Sequence, residues 1–428
     1  MYWLNADRDF NMVDGGLMGL KLLQIYRKLK TNLSFRAGLY CMAAIAATLF
    51  SVSLSPLVPG ELSDLLGGEA VDRILTIMAS SLLAVVTFSL ATLVTSYANV
   101  NGSAPSRATA LVIGDPKAHS ALSTFLGGFI FSVVSLTALS TKYYGADGRV
   151  ILFFITIAVL SVIIWKIITW IGQLSTAGRL EHVMRQVHDV SKKTIQGQIE
   201  YFSWNQEAFN PPPTSSLPIE SPTVGFVQTI DYKKLSKIAD SIKKPLHILL
   251  LVGDFVTKTS VVAKIETDMI TEDIQEKILS CFLFGSSRTF EDDPRFGLIV
   301  LSEVGSRALS PGINDPGTAI QVLGHLTQLL YFAIECKSDH PKTISSDYLR
   351  IRPITCSEIF DDAFRAIARD GSPNCEVSIF LQKSLASLSH IPEYAEAAAA
   401  LSAENISQCE TNMTSRNDIK RVKKAATS

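Results

Sequence analysis

The sequence predicts a membrane protein with four transmembrane α-helices followed by a cytoplasmic α+β module and a helical domain. Three observations carry this expectation. The 428 residues are 47% hydrophobic and only 18% charged, against about a quarter charged in an average soluble domain. The apolar excess is concentrated between about Phe35 and Ile171, in runs long enough to cross a hydrocarbon core, which takes about 20 helical residues. From Val224 onward the composition becomes that of a soluble domain, first with short strand-like runs and then with helical periodicity. The net charge of -1 supplies no basic field, so no nucleic-acid partner is expected.

Residues 1–35 read as a cytoplasmic segment rather than a signal peptide. Arg8, Lys21, Arg27, Lys28, Lys30 and Arg36 precede an apolar run that continues into Pro56 with no small-residue cleavage site close behind it. The transmembrane region is expected over 36–172, with spans at about Ala37–Leu57, Leu75–Tyr97, Ser120–Ser140 and Val150–Ile171. The segments on one side of these spans carry twelve Lys/Arg, and those on the other carry three, Arg73, Lys142 and Arg149. Positive charge favours the cytoplasmic side, which places both termini in the cytoplasm of a bacterial inner-membrane, multi-pass protein. Tyr97, Trp165 and Trp170 fall at the inner interface by this reading.

Ionisable residues are nearly absent from the spans. Lys166 is the exception, near the inner end of the fourth, where a long side chain snorkels to the headgroups. With no Asp, Glu or His inside a span, proton-coupled transport lacks its usual groups. Thr124, Gly128 and Ser132 recur at four-residue spacing in the third span, with Gly127 beside them. Such small residues either pack helices closely or line a polar path, and packing is the favoured reading.

Residues 173–222 read as a juxtamembrane helix, with Leu180, Val183, Met184, Val187 and Ile195 at helical spacing, and a Pro/Ser-rich linker from Asn210 to Pro222. A small α+β module is expected over 223–268, with Gly253-Asp254 as a turn between short strands. A helical domain follows over 269–410. One helix is expected over Glu272–Phe284, and two more begin at the Asp-Pro pairs Asp293-Pro294 and Asp315-Pro316, where Asp caps and Pro fits the first turn. The remaining residues, 411–428, read as a basic, frayed tail. The six cysteines show no metal-ligand spacing and read as reduced thiols, with no cofactor expected.

Several motifs are similar to those of a bacterial family of predicted membrane proteins, domain-of-unknown-function family 2254. They are Arg288-Thr289, Asp293-Pro294-x-Phe296-Gly297, and Arg307–Pro316 followed by Thr318-Ala319. Gly225-Phe226-Val227-Gln228, Gly253-Asp254-Phe255-Val256 and Pro105-x-Arg107 match as well. The resemblance covers roughly residues 35–335. It implies four spans and a cytoplasmic domain, and it implies no activity.

Arg307–Pro316 is the most specific of these stretches, and it admits two readings. Arg288, Asp293, Arg307, Ser310, Asn314, Asp315 and Thr318 would converge on a ligand such as a phosphate or carboxylate. Alternatively they build a corner in which one helix ends, Pro311-Gly312 turns the chain and Asp315 caps the next helix. The corner is favoured, because no nucleophile–base pair accompanies the motif. The expected function is non-enzymatic. The protein would be an oligomeric membrane protein whose partners are the lipid bilayer and copies of itself, with a cytoplasmic sensing or scaffolding domain. The alternative is a channel or transporter for ions or small solutes, gated by that domain.

Overall fold

The computed structural model describes residues 70–113, 116–140, 146–174, 179–202, 209–337 and 346–427, with a few positions between 38 and 46. Most of the expected first span, Ala37–Leu57, lies outside the described residues. The chain divides into two compact units. The described part of one lies within 38–102 and 109–183, and that of the other within 103–108 and 184–427.

The first unit is built from α1 (Ala70–Ser103), α2 (Ser106–Ile113), α3 (Pro116–Ser140) and α4 (Ala146–Leu174). Three stretches are long and apolar enough to cross a membrane: Ala70–Ala98, Ala118–Ser140 and Arg149–Leu174. They coincide with the second, third and fourth expected runs. α1 outlasts its apolar stretch and stays helical where a loop was expected. It stops only before Pro105, whose missing N–H and ring clash disfavour helix at and before it.

α3 is the inner helix of this unit, with 56% of its apolar stretch buried against 22% for α1 and 17% for α4. Met78, Leu82 and Leu93 of α1 meet Ala121 and Phe125 of α3 and Ile163 and Trp170 of α4. Trp170 is buried within the unit, and its indole N–H donates to Ser89 Oγ at 3.0 Å. Trp165 remains exposed. Lys166 Nζ donates to Ser120 Oγ at 3.1 Å, at the start of α3.

In the second unit, α5 (Leu180–Gln198) follows the expected juxtamembrane pattern and buries Val183, Met184, Val187 and Ile195. The α/β part draws on more of the chain than the expected module. Its strands are β1 (Leu217–Glu220), β2 (Gly225–Ile230), β3 (Leu246–Ile248), β4 (Phe255–Val256), β5 (Val261–Ile265), β6 (Phe282–Gly285) and β7 (Leu349–Ile351), with α6 (Tyr232–Ile242) and α7 (Glu272–Leu279) between them. One sheet has the order β1-β5-β3-β7 and the other β4-β2-β6. β1 comes from the expected linker, and β6 and β7 from the expected helical domain. Local pattern hid them: β1 contains Pro218, which an edge strand tolerates, and β7 pairs in parallel with β3 a hundred residues earlier. The expected helix over Glu272–Phe284 ends at Leu279, and Phe282-Leu283-Phe284 crosses to pair with β2. β4 and β5 belong to different sheets. Leu235, Leu246, Ile248, Val262, Ile265 and Ile278 form the shared core.

The rest of the unit packs helices: α8 (Phe296–Ala308), α9 (Pro316–Lys337), α10 (Cys356–Phe360), a π-turn over Asp361–Arg365, α11 (Ala366–Gly371), α12 (Cys375–Ser389), α13 (Ala395–Asn412) and α14 (Arg416–Ala425). The tail is therefore not frayed. Ser415 caps α14 by accepting from Asp418 N, and Val422 docks with Cys375, Cys409 and Met413. Apolar residues three apart in a basic segment made this docking possible and were overlooked among the charges. The described cysteines are free, and Cys281, Cys336, Cys375 and Cys409 are buried.

Candidate functional site

The residues singled out by sequence separate to the two ends of α8. At its start, Arg288 grips Asp293 through two hydrogen bonds, Nε to Oδ2 at 2.7 Å and Nη2 to Oδ1 at 3.0 Å. Asp293 Oδ1 also accepts from the backbone N–H of Arg295 and Phe296, each at 3.1 Å. It thus performs the expected capping role, although regular helix begins only at Phe296. The Arg288 guanidinium lies over the Phe296 ring, 5.5 Å from its centre.

Gly253 makes room for this pair. Its φ is +96°, and a Cβ there would sit 2.3 Å from Asp293 Oδ2 and 2.5 Å from Arg288 Nη2. The turn between β3 and β4 therefore presses on the ion pair, and only glycine satisfies both the backbone and the space.

Charges continue from this point. Arg295 pairs with Asp362 and lies 3.8 Å from Glu358, Glu358 binds Arg352, and Arg352 lies 3.6 Å from Asp254. Asp254 Oδ2 in turn accepts from Leu251 N at 2.8 Å. Burial pushes the Asp293 and Asp362 carboxyls up, against the pull of Arg288 and Arg295. Burial also pushes at Glu358, but hydrogen bonds from Thr355 together with Arg352 and Arg295 outweigh it and hold that carboxyl below its usual range. This alternating network ties the Gly253-Asp254 turn to α8, α10 and the π-turn. Only Arg288 and Asp293 of its members were expected at a site. The others are spread from Asp254 to Asp362 and carry no local signal.

At the far end of α8 stands the corner. Leu309 ends the helix, Ile313 and Asn314 N–H groups return to Ser310 O, and Asp315 N reaches back to Ala308 O at 2.8 Å. Asn314 has a φ of +50°, a left-handed conformation that Asn tolerates better than most side chains. Asp315 then caps α9, accepting from Thr318 N at 3.1 Å and Thr318 Oγ1 at 2.6 Å. α8 has 13 residues, so about 20 Å of helix separates the two clusters. The seven residues do not meet at one ligand.

Arg307 turns elsewhere. Its Nη1 donates to the Ala104 carbonyl at 3.0 Å, and Glu303, one turn earlier on the same face, pairs with Arg107. Residues 103–108, the turn between α1 and α2, thus belong to the same compact unit as α8. The i, i+4 pair Glu303/Arg307 was legible in sequence, but its target was not.

In the apolar unit, Thr124 and Ser132 are buried and their hydroxyls donate to Ser120 O and Gly128 O of their own helix. A Cβ on Gly128 would lie 2.5 Å from Ile163 Cδ1 and 3.1 Å from Leu82 Cδ1, so α1 and α4 close on α3 at that glycine. Gly127 is buried beside it. Among the described residues no cluster of three or more His, Cys, Asp or Glu is arranged to hold a metal ion.

Three long apolar helices joined to a helical and α/β unit make up a membrane protein. The chain belongs to the family described as Predicted membrane protein (DUF2254), whose model matches residues 30–387. It is also similar to uncharacterized proteins of Mycobacterium bovis and Mycobacterium tuberculosis, each 32% identical over 121 residues. The match covers 27% of this chain and 23% of each relative, so the chain spans about a quarter of the length of the curated relatives it matches. No solved structure matches.

Proposed function

We propose that this is a non-enzymatic, multi-pass protein of the bacterial inner membrane, with four spans and both termini in the cytoplasm. Its cytoplasmic unit acts as a sensing or scaffolding domain and the whole assembles as a homo-oligomer. The observation that carries the reading is the clasp of α8 on the turn Ser103–Ala108. Arg107–Glu303 and Arg307–Ala104 tie the helix that ends in the family's most specific motif to residues 103–108, the turn between α1 and α2. A domain so attached follows, or fixes, the position of that connection. The lack of convergence among the seven polar residues favours this over catalysis, since each is engaged in a pair, a cap or a turn.

Oligomerisation is supported by α1. Thr76, Ser80, Ala84, Thr87, Ala91 and Thr95 recur along one face, and all are exposed. The Thr76, Ser80, Thr87 and Thr95 hydroxyls are satisfied by carbonyls of their own helix. Ile77 and Phe88 at the edge of that face are large and exposed, as suits lipid. A small-residue stripe between such faces suits close approach of another helix. Native mass spectrometry of the detergent-purified protein is expected to give a multimer that Ala84→Leu and Ala91→Leu weaken. A wild-type monomer would overturn the oligomer.

The same hydroxyl stripe favours the second reading, a channel or transporter gated by the cytoplasmic unit, should copies place it around a common axis. Reconstitution into liposomes separates the two. The scaffold reading predicts no ion or osmolyte flux above empty vesicles. A flux abolished by Thr87→Leu would establish the channel instead.

A further inference from the structure

We propose that a cleft at one end of the apolar helices holds the headgroup of an ammonium-bearing phospholipid, with Asp72 taking the ammonium and Arg149 the phosphate. The inference goes beyond the reading above and needs from it only that α1, α3 and α4 cross a membrane.

The cleft lies within the apolar unit. Its volume is about 500 Å³, and it is lined by Asp72 of α1, by Leu136, Thr137, Leu139 and Ser140 of α3, and by Arg149 of α4. Small-molecule sites are typically roughly 300–1,000 Å³. The floor is packed, since Val71 and Leu75 of α1, Phe131 and Leu139 of α3 and Leu152 of α4 form one buried cluster. The rim falls at an apolar boundary on all three helices. Asp72 stands near the start of the apolar stretch Ala70–Ala98, Ser140 ends Ala118–Ser140, and Arg149 begins Arg149–Leu174. The headgroups of a bilayer meet a spanning helix at such a boundary.

The charges call for a ligand. Asp72 and Arg149 are both half-buried. They face the same cleft, yet neither the carboxylate nor the guanidinium has a hydrogen-bond or ion-pair partner among the described residues, each other included. A negative charge in the first turn of α1 suits the helix dipole. The dipole does not account for an arginine that shares the cleft and leaves that acid unpaired. A zwitterion that reaches both satisfies both.

The residues beside Asp72 specify the cation. The Thr137 and Ser140 hydroxyls donate within their own helix, to Val133 O at 2.9 Å and Thr137 O at 2.7 Å. What they offer the cleft is oxygen lone pairs, so with Asp72 this side is made of acceptors. Acceptors suit the N–H donors of a primary ammonium, and a quaternary ammonium has none. Arg149 presents a planar fork of donors that matches a phosphate. Leu136 and Leu139 add an apolar wall for the glycerol end. Together these describe phosphatidylethanolamine. Free phosphoethanolamine carries the same two charges but has nothing to set against the leucines.

The test is native mass spectrometry of the full-length, detergent-purified protein titrated with phosphatidylethanolamine, phosphatidylcholine, phosphatidylglycerol and free phosphoethanolamine. The wild type is expected to bind phosphatidylethanolamine about tenfold more tightly than either other phospholipid, the worth of one hydrogen bond to a charged group. Asp72→Asn should abolish that preference, and Arg149→Gln should weaken phosphatidylethanolamine by a similar factor. Equal affinities for the three phospholipids in the wild type overturn the proposal alone, whether or not the variants fold. A preference that survives both substitutions does the same. So does displacement of the lipid by equimolar phosphoethanolamine, which makes the ligand a soluble zwitterion. Binding of no phospholipid of any class overturns the membrane placement of these helices together with the proposal.

Discussion

Gly253 shows how one missing side chain organises a charge network. Its φ of +96° strains any other residue, and its Cβ would collide with both members of the Arg288–Asp293 pair. Gly253→Ala combines a left-handed strain of about 1–3 kcal/mol with disruption of a buried ion pair. We expect a loss on the order of 3 kcal/mol, read as a lowered midpoint in thermal or denaturant unfolding of the purified protein. Gly312→Ala is the matched control. Nothing lies within 4 Å of its Cβ position, so it should be nearly neutral. Asp315→Ala removes a cap and should cost about 1 kcal/mol. Glu358 gives the network a pH signature. Its folded-state carboxyl is held below the ordinary 4.5 by Thr355, Arg352 and Arg295. Its contribution is thus present above pH 4.5 and lost as the pH falls through the folded value. Glu358→Gln should lower stability at neutral pH and flatten the acid limb below pH 4.5. Asp293 and Asp362, pushed up by burial, act in the opposite sense, so the two proteins must be compared in the same buffers. An acid limb identical to that of the wild type would remove Glu358 from the network.

At the scale of elements, α8 is the organising rod, and glycines set its fit. A Cβ at Gly297 would lie 1.8 Å from Ser191 Oγ of α5, and one at Gly305 would lie 2.6 Å from Ile367 of α11. Gly297→Val should therefore cost about 1–3 kcal/mol through overpacking. It should also loosen α5, measured as faster amide exchange across Leu180–Gln198. The sequence made the rod legible: the Asp-Pro starts, the turn at Pro311-Gly312 and the apolar spacing of α8 are all local signals. What it did not reveal is long-range pairing. Phe282–Gly285 looked like the end of a helix, and Leu349–Ile351 gave too short a pattern to distinguish from loop. Both become strands because β2 and β3 offer them backbone partners. α14 was missed for a related reason: Val422 becomes an anchor only once α12 and α13 provide a surface for it.

At the scale of the whole molecule, the chain divides into an apolar helical unit and a helical and α/β unit, and the latter includes the turn that α8 holds. The three described apolar stretches were legible from hydropathy alone. The role of the motif was only half legible, since the corner was the favoured reading but the bond from Arg307 to the Ala104 carbonyl had no local signal. Arg107–Glu303 is an exposed ion pair and contributes less than about 1 kcal/mol to stability. Its importance is positional, which a melting curve would miss. The direct measurement is amide exchange over residues 103–108 in the full-length protein in nanodiscs, for Arg107→Glu, Glu303→Arg and the doubly reversed protein. Faster exchange is expected in each single variant, and restored protection in the double. Unchanged protection in both single variants would contradict the clasp.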